Sequence, residues 1–242
     1  MTHSLTRRTA LGLMAGGLAV PTLRHASAAG PSPVLVELFT SQGCSSCPPA
    51  DKNMATLSQR QDVIAVTYNV DYWDYLGWHD TLAKPEYSKR QFDYGKSRGD
   101  MQVYTPQAVM NGHEHVTGSD VASMDKLIAQ CREEGLLIAP TLTMDNKEVR
   151  VSLPAHDIGG EATLWLLAIA PSIGQVIAKG ENAGQTVTYY NVVRNLVPAA
   201  LWKGEAYDGR WMREAVMPKD CTQCVAVLQR DKTGPVLGVA RA

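Results

Sequence analysis

Two cysteines, in the run Cys44-Ser45-Ser46-Cys47, are the residues of this 242-residue chain whose types and spacing most directly imply chemistry. The thiolate is the reactive form of cysteine. A free thiol has a pKa of roughly 8.5, so a reactive site must stabilise the anion. A helix N-terminus does so through unpaired N–H groups and the positive end of its dipole. Pro48 and Pro49 follow the pair, and proline is tolerated in a first helical turn because its missing N–H costs little there. The helix is therefore predicted to start at Pro48, with Ala50, Met54 and Leu57 on one face, while Pro48 disfavours helical backbone at Cys47. This makes Cys44 the nucleophile, expected to be the more exposed and more acidic thiol. Cys47 is the resolving thiol, close enough to close a Cys44–Cys47 disulfide. Ser45 and Ser46 add hydroxyls that can bond the thiolate.

The elements that must position this pair can be read on either side of it. Val34–Phe39 is a short apolar run that reads as a buried strand, and Val63–Val70 is a second one rich in β-branched residues. Strand, loop with Cys-x-x-Cys, helix, strand is a βαβ unit, whose crossover implies a parallel pair. Residues 71–101 interrupt that plan as an insertion. It opens with the cluster Asp71 to His79, which holds Trp73 and Trp78, and continues as a helix starting at Pro85. Trp73 and Trp78 read either as an aromatic wall over the site that binds substrate, or as packing of the insertion on the core.

Thr105-Pro106 leads into the strand Gln107–Met110. A cis peptide there would set the Thr105 backbone against the cysteines and offer hydrogen-bonding groups to an extended substrate chain. Asn111-Gly112 signals a two-residue hairpin turn, and His113–Val116 is the returning strand. A helix capped by Ser119 or Asp120 follows, with Val121, Met124, Leu127, Ile128 and Cys131 on one face and Gly135 as terminator. These parts together form a thioredoxin-like plan over residues 29–140. From 141 to 242 the pattern turns to short strands with turn signals, an antiparallel, sandwich-like, β-rich region.

The remaining candidates are weaker. Cys221 and Cys224 form a second Cys-x-x-Cys in a loop entering a strand, without an anion-stabilising helix start. A structural Cys221–Cys224 disulfide is expected there, with a relay to the first pair or metal binding as alternatives. Cys131 reads as a buried inert thiol. His113 and His115 alternate on a strand as chance neighbours do, and His79 reads as a surface histidine. Gly180–Gly184 lacks the spacing of a phosphate cradle and reads as a turn. No metal site is assigned.

Four segments carry a family resemblance. They are Val36 to Asp51, which contains Cys44 and Cys47; Val70 to Trp78; Tyr104-Thr105-Pro106-Gln107; and Gly180-Glu181-Asn182-Ala183-Gly184 followed by Tyr190 to Arg194. Together they resemble the secreted thioredoxin-like family catalogued as domain of unknown function 1223. The resemblance implies a thioredoxin fold followed by a β-rich part, and it assigns no substrate. Gly43 stands where thioredoxins carry Trp, so the docking surface differs from theirs.

Residues 1–28 are expected to be an export signal. Arg7 and Arg8 precede a small-residue apolar run, and Ala26-Ser27-Ala28 is a cleavage pattern. Thr6-Arg7-Arg8 resembles a twin-arginine signal, although Ala10 stands where a large apolar residue is usual. A periplasmic or secreted location follows. Removing residues 1–28 leaves 20 basic against 24 acidic residues, a net charge of −4. No basic run suggests nucleic acid as a partner, and no other stretch could span a bilayer. The expected activity is exchange with protein thiols or small disulfides, without an organic cofactor. The alternatives are a soft-metal (copper) binding module and a non-catalytic partner-binding protein. Oligomeric state is not legible in the sequence.

Overall fold

The computed structural model describes Met1 and residues 32–242, so the expected export signal lies outside the described residues. In chain order the elements are β1 (Val34–Thr40), α1 (Pro48–Leu57), β2 (Val63–Asn69), a short 3-10 turn at Asp74–Leu76, α2 (Pro85–Arg98), β3 (Gln107–Met110), β4 (Glu114–Thr117) and α3 (Val121–Glu134). There follow β5 (Thr141–Met144), β6 (Glu148–Leu153), β7 (Ala162–Val176), β8 (Thr186–Trp202), β9 (Tyr207–Met212), α4 (Arg213–Val216), β10 (Gln223–Arg230) and β11 (Val236–Arg241). The protein is mixed α/β. One sheet has eight strands in the order β11-β10-β7-β8-β2-β1-β3-β4, and a second has three in the order β5-β6-β9.

β1 is buried at all seven positions because both faces of the sheet are covered there, and the period of two decides which residue goes where. Val34, Val36 and Leu38 pack with Ala50, Met54 and Leu57 of α1 and Met124 and Ile128 of α3. Leu35 and Phe39 point the other way, toward Tyr68 and the α2 residues Tyr87 and Tyr94. Glu37 shares that second face and is fully buried. Its carboxylate accepts from Arg90 Nε at 2.9 Å and from the Tyr94 hydroxyl. Arg90 also donates to Gln229 Oε1 at 3.1 Å, so one buried ion pair ties α2 to both β1 and β10.

β1 and β2 are parallel, as the βαβ reading requires, and β3 and β4 are antiparallel to their neighbours. The β3–β4 connection is one residue longer than the expected two-residue turn, because Met110 pairs with Glu114 across Asn111, Gly112 and His113. Asn111 and Gly112 take positive φ. A Cβ at Gly112 would meet the Gly234 carbonyl at 2.6 Å, so only glycine fits.

The change at Pro140 is a change of element type and not a break in hydrogen bonding. β8 joins β2 through the pair Thr67 and Val192, so strands from both sides of residue 140 share the large sheet. The three-stranded sheet covers one face of the later strands. Leu142, Val149, Val151 and Leu153 pack there with Leu164, Leu166, Cys224 and Leu228. Where the sequence reads as two strands, Ala162–Ala170 and Gln175–Lys179, the chain forms the one strand β7, and β9 was not anticipated. No helix among the described residues is long and apolar enough to cross a membrane.

Candidate functional site

Cys44 and Cys47 are joined as a disulfide with a Cα–Cα distance of 5.4 Å, at the head of α1. The helix starts at Pro48 as expected. Cys47 nevertheless takes helical backbone, with φ −79° and ψ −37°. A turn overrides the proline preference: Cys47 N–H donates to the Cys44 carbonyl at 3.2 Å, and Ala50 and Asp51 N–H donate to the Cys47 carbonyl. Pro48 and Pro49 carry no N–H, so this helix end offers the sulfurs its dipole and few free amides. The Ser46 hydroxyl lies 3.4 Å from Cys44 Sγ.

The expectation that Cys44 would be the exposed thiol is corrected. Both cysteines are 0% exposed. Three segments close over them. Trp73 packs on Gly43, where an added Cβ would meet Trp73 Cβ at 3.0 Å. The Trp73 indole N–H donates to Thr105 Oγ1 at 2.8 Å. From the β7–β8 connection, Asn182 Nδ2 donates to the carbonyls of Gln42 (3.0 Å) and Cys44 (2.8 Å), and Glu181 accepts from Ser45 N–H at 3.3 Å. Asn182 is itself buried. Gly180–Gly184 is a turn, as read, and its tip is also part of the site.

Thr105 is reached by the loop between the two cysteines. The Thr105–Pro106 peptide bond is cis, and Ser46 Oγ donates to the Thr105 carbonyl at 3.5 Å. Trp78 is half-buried and turned inward, its indole N–H on Gln42 Oε1 at 2.8 Å. Gln42 is a hub that sequence reasoning missed, since its N–H also donates to Asp80 Oδ2 at 2.8 Å. Asp80 is buried and holds Asn69 Nδ2 and the Leu82 and Ala83 amides as well. Burial raises its carboxyl above the usual range despite these donors.

Asp51, in the first turn of α1, was also missed as a site residue. It is 1% exposed, and neither carboxyl oxygen has a hydrogen-bond partner among the described residues. Burial pushes it up to about 8; the nearby Thr40 hydroxyl works against the rise, and the neighbouring Asp80 charge adds to it.

The expected Cys221–Cys224 bridge is not formed, and both cysteines stand as buried free thiols. Cys224 is held in β10, where its N–H and carbonyl pair with Ala242 and its Cα partner on β7 is Ala168. Cys221 is fixed by its N–H on the Pro218 carbonyl. The core around them is apolar, and burial pushes the thiols up to about 11 (Cys221) and about 12 (Cys224), which keeps them protonated and slow to exchange. His113 and His115 do not share a partner. His113 faces Glu134, while His115 lies between the Tyr104 hydroxyl and Asp100. His79 pairs with Asp74.

A disulfide at a helix head in a mixed α/β sheet, with the β7–β8 tip over it, is what the fold and the site define. The chain belongs to the family described as Protein of unknown function (DUF1223), which matches residues 35–229. It is similar to protein AGR_C_4864 from Agrobacterium tumefaciens, known from a crystal structure, at 30% identity and a TM-score of 0.76, covering 88% of this chain and 94% of that one. HBP35 of Porphyromonas gingivalis shares the fold at a TM-score of 0.59 and 13% identity, over 88% of this chain and 75% of that one. No curated protein matches the chain.

Proposed function

We propose that this protein is an exported thiol–disulfide oxidoreductase, with Cys44 as nucleophile and Cys47 as resolving thiol. The observation that carries the reading is the Cys44–Cys47 disulfide at the start of α1, with the loop between the cysteines reaching Thr105. In this reading β1-α1-β2, the β3–β4 hairpin and α3 form a thioredoxin-like unit. Residues 71–101 are its insertion, and the strands after residue 140 are a β-rich, sandwich-like addition. The arginine pair and the small apolar run before residue 28 support export to the periplasm or beyond by the twin-arginine route.

The chemistry is an exchange in which atoms and electrons balance. In the reduced protein the Cys44 thiolate attacks a substrate disulfide, forming a mixed disulfide and expelling one substrate thiolate. The Cys47 thiolate then attacks Cys44 Sγ, expelling the second substrate thiolate and closing the Cys44–Cys47 bond. Two electrons pass to the substrate, whose thiolates take protons from water. The reverse sequence oxidises a dithiol, and the relative reduction potentials set the direction. Substrates are protein thiols or small disulfides, reached through movement of Trp73 or of the Glu181–Asn182 tip. The Thr105 backbone and Trp73 and Trp78 would border an incoming chain.

The test is trapping. Cys47→Ser should accumulate a mixed disulfide through Cys44, visible on non-reducing gels of the oxidising compartment, and Cys44→Ser should not. Wild-type protein should also catalyse insulin reduction. If neither variant traps a partner and no exchange is catalysed, the pair is a structural disulfide and the protein is a non-catalytic binding module.

A further inference from the structure

A second site lies apart from the disulfide, where the last turn of α3 meets the β3–β4 turn. Cys131 and Glu134 are three residues apart, hence on one face of α3, and His113 comes from the turn. The His113 nitrogen, the Cys131 sulfur and a Glu134 oxygen all lie within 4.8 Å of one another. His113 Nε2 and Glu134 Oε2 are already 3.3 Å apart. A tetrahedral zinc ion, bound at about 2.0–2.3 Å, needs its ligands about 3.3–3.7 Å apart. Small side-chain rotations therefore close the set.

Further contacts suit a ligand role. His113 Nδ1 is 3.1 Å from the Asn111 carbonyl. With zinc bound, Nδ1 would donate to that carbonyl and leave the Nε2 lone pair for the metal, the usual support of a metal-bound histidine. Glu134 is oriented in the same way by Gln130 Nε2, at 3.1 Å on its other oxygen. The cluster also sits at a helix C-terminus, where the dipole favours a cation.

We propose that His113, Cys131 and Glu134 bind a zinc ion, with water as the fourth ligand. The sulfur–nitrogen–oxygen donor set suits zinc and not calcium or magnesium, which take oxygen ligands. Cys131 is buried and closes the inner side, while Glu134 is exposed and leaves an entry path. Coordination replaces the thiol proton, which passes to water. Zinc would take the place of the hydrogen between His113 Nε2 and Glu134 Oε2, which lie 3.3 Å apart.

The experiment is cobalt and zinc titration of the full chain in its oxidised form, where Cys44 and Cys47 are bonded to each other. One equivalent of cobalt should produce the thiolate-to-cobalt charge-transfer band and the visible bands of a four-coordinate ion. The variant with Cys44, Cys47, Cys221 and Cys224 all replaced by Ser should keep that spectrum, and Cys131→Ser should lose the charge-transfer band. His113→Ala and Glu134→Ala should each weaken zinc at least about tenfold in competition with a chromogenic chelator. His113 and Glu134 lie at the surface, so these two variants keep the test readable if Cys131→Ser fails to fold. A charge-transfer band that persists in Cys131→Ser, or zinc affinity unchanged in both surface variants, overturns the proposal. The disulfide exchange at Cys44 is untouched by either outcome.

Discussion

Asp51 places a quantitative constraint on the protein. Its carboxyl has no hydrogen-bond partner among the described residues and is raised from 3.8 to about 8 by burial. Between these values the folded chain holds a proton that the unfolded chain has lost. The unfolded state therefore binds fewer protons, and stability falls as pH rises through that window. Each pH unit costs about 1.4 kcal/mol for a whole proton. From pH 4.5 to 7.5, Asp51 alone should then remove about 4 kcal/mol, an upper figure because buried sites relax. Asp51→Asn carries no such charge. Its own packing cost does not depend on pH, so the quantity to read is the change in the difference between wild type and variant. Urea unfolding at the two pH values, with free energies from the linear extrapolation, gives that change directly. Wild type should lose several kcal/mol relative to Asp51→Asn on going from pH 4.5 to 7.5. A relative change below about 1 kcal/mol would refute the reasoning and mean that water or a neighbour solvates the carboxylate.

Two further perturbations follow from the contacts around the site. Asn182→Ala removes two hydrogen bonds to the cysteine loop. At about 1 kcal/mol each, it should speed reduction of Cys44–Cys47 by dithiothreitol up to about 30-fold. An unchanged rate would show that Asn182 does not hold the site closed. Arg90→Leu leaves Glu37 as an unpaired buried charge and should cost about 3–5 kcal/mol in urea unfolding. The double variant Glu37→Leu with Arg90→Leu should recover most of that, and additive losses would mean the pair is not coupled.

The parts of the fold that were legible in the sequence are those set by local rules. The start of α1 follows from Pro48 and Pro49, and the end of α3 from Gly135, which caps it by donating to the Cys131 carbonyl. Ala162–Ala170 and Gln175–Lys179 read as two strands, but β7 runs on through Pro171 as one. β10 pairs with β7 only as far as Ile169, so beyond that point β7 is an edge that tolerates a residue with no N–H. β9 escaped notice because Tyr207–Met212 has a single fully buried position, Gly209, and so no apolar alternation. The Cys44–Cys47 disulfide was legible from the spacing of the pair. Its burial was not, since Asn182 lies 138 residues from Cys44 and no local pattern links them. His113, Cys131 and Glu134 were missed in the same way, because their grouping depends on how α3 packs against a hairpin turn.

The position of Asn182 bears on why the later strands belong to this protein at all. The tip of β7–β8 holds the carbonyls of Gln42 and Cys44 through one buried amide. The same hairpin is anchored at its other end, where β7 pairs with β10 and β8 meets β2. The cap is thus an extension of the sheet that carries the cysteines, and not a loose loop. Moving Asn182 away breaks contacts at the tip while leaving the ladder intact, so local opening can be far cheaper than unfolding. A partner that binds the exposed residues of this tip, Glu181, Ala183 and Gly184, would gain access to Cys44 by the same movement. Under the proposed exchange the C-terminal strands would select which thiols reach the disulfide, and the helix end and Ser46 would govern what happens to them once they arrive.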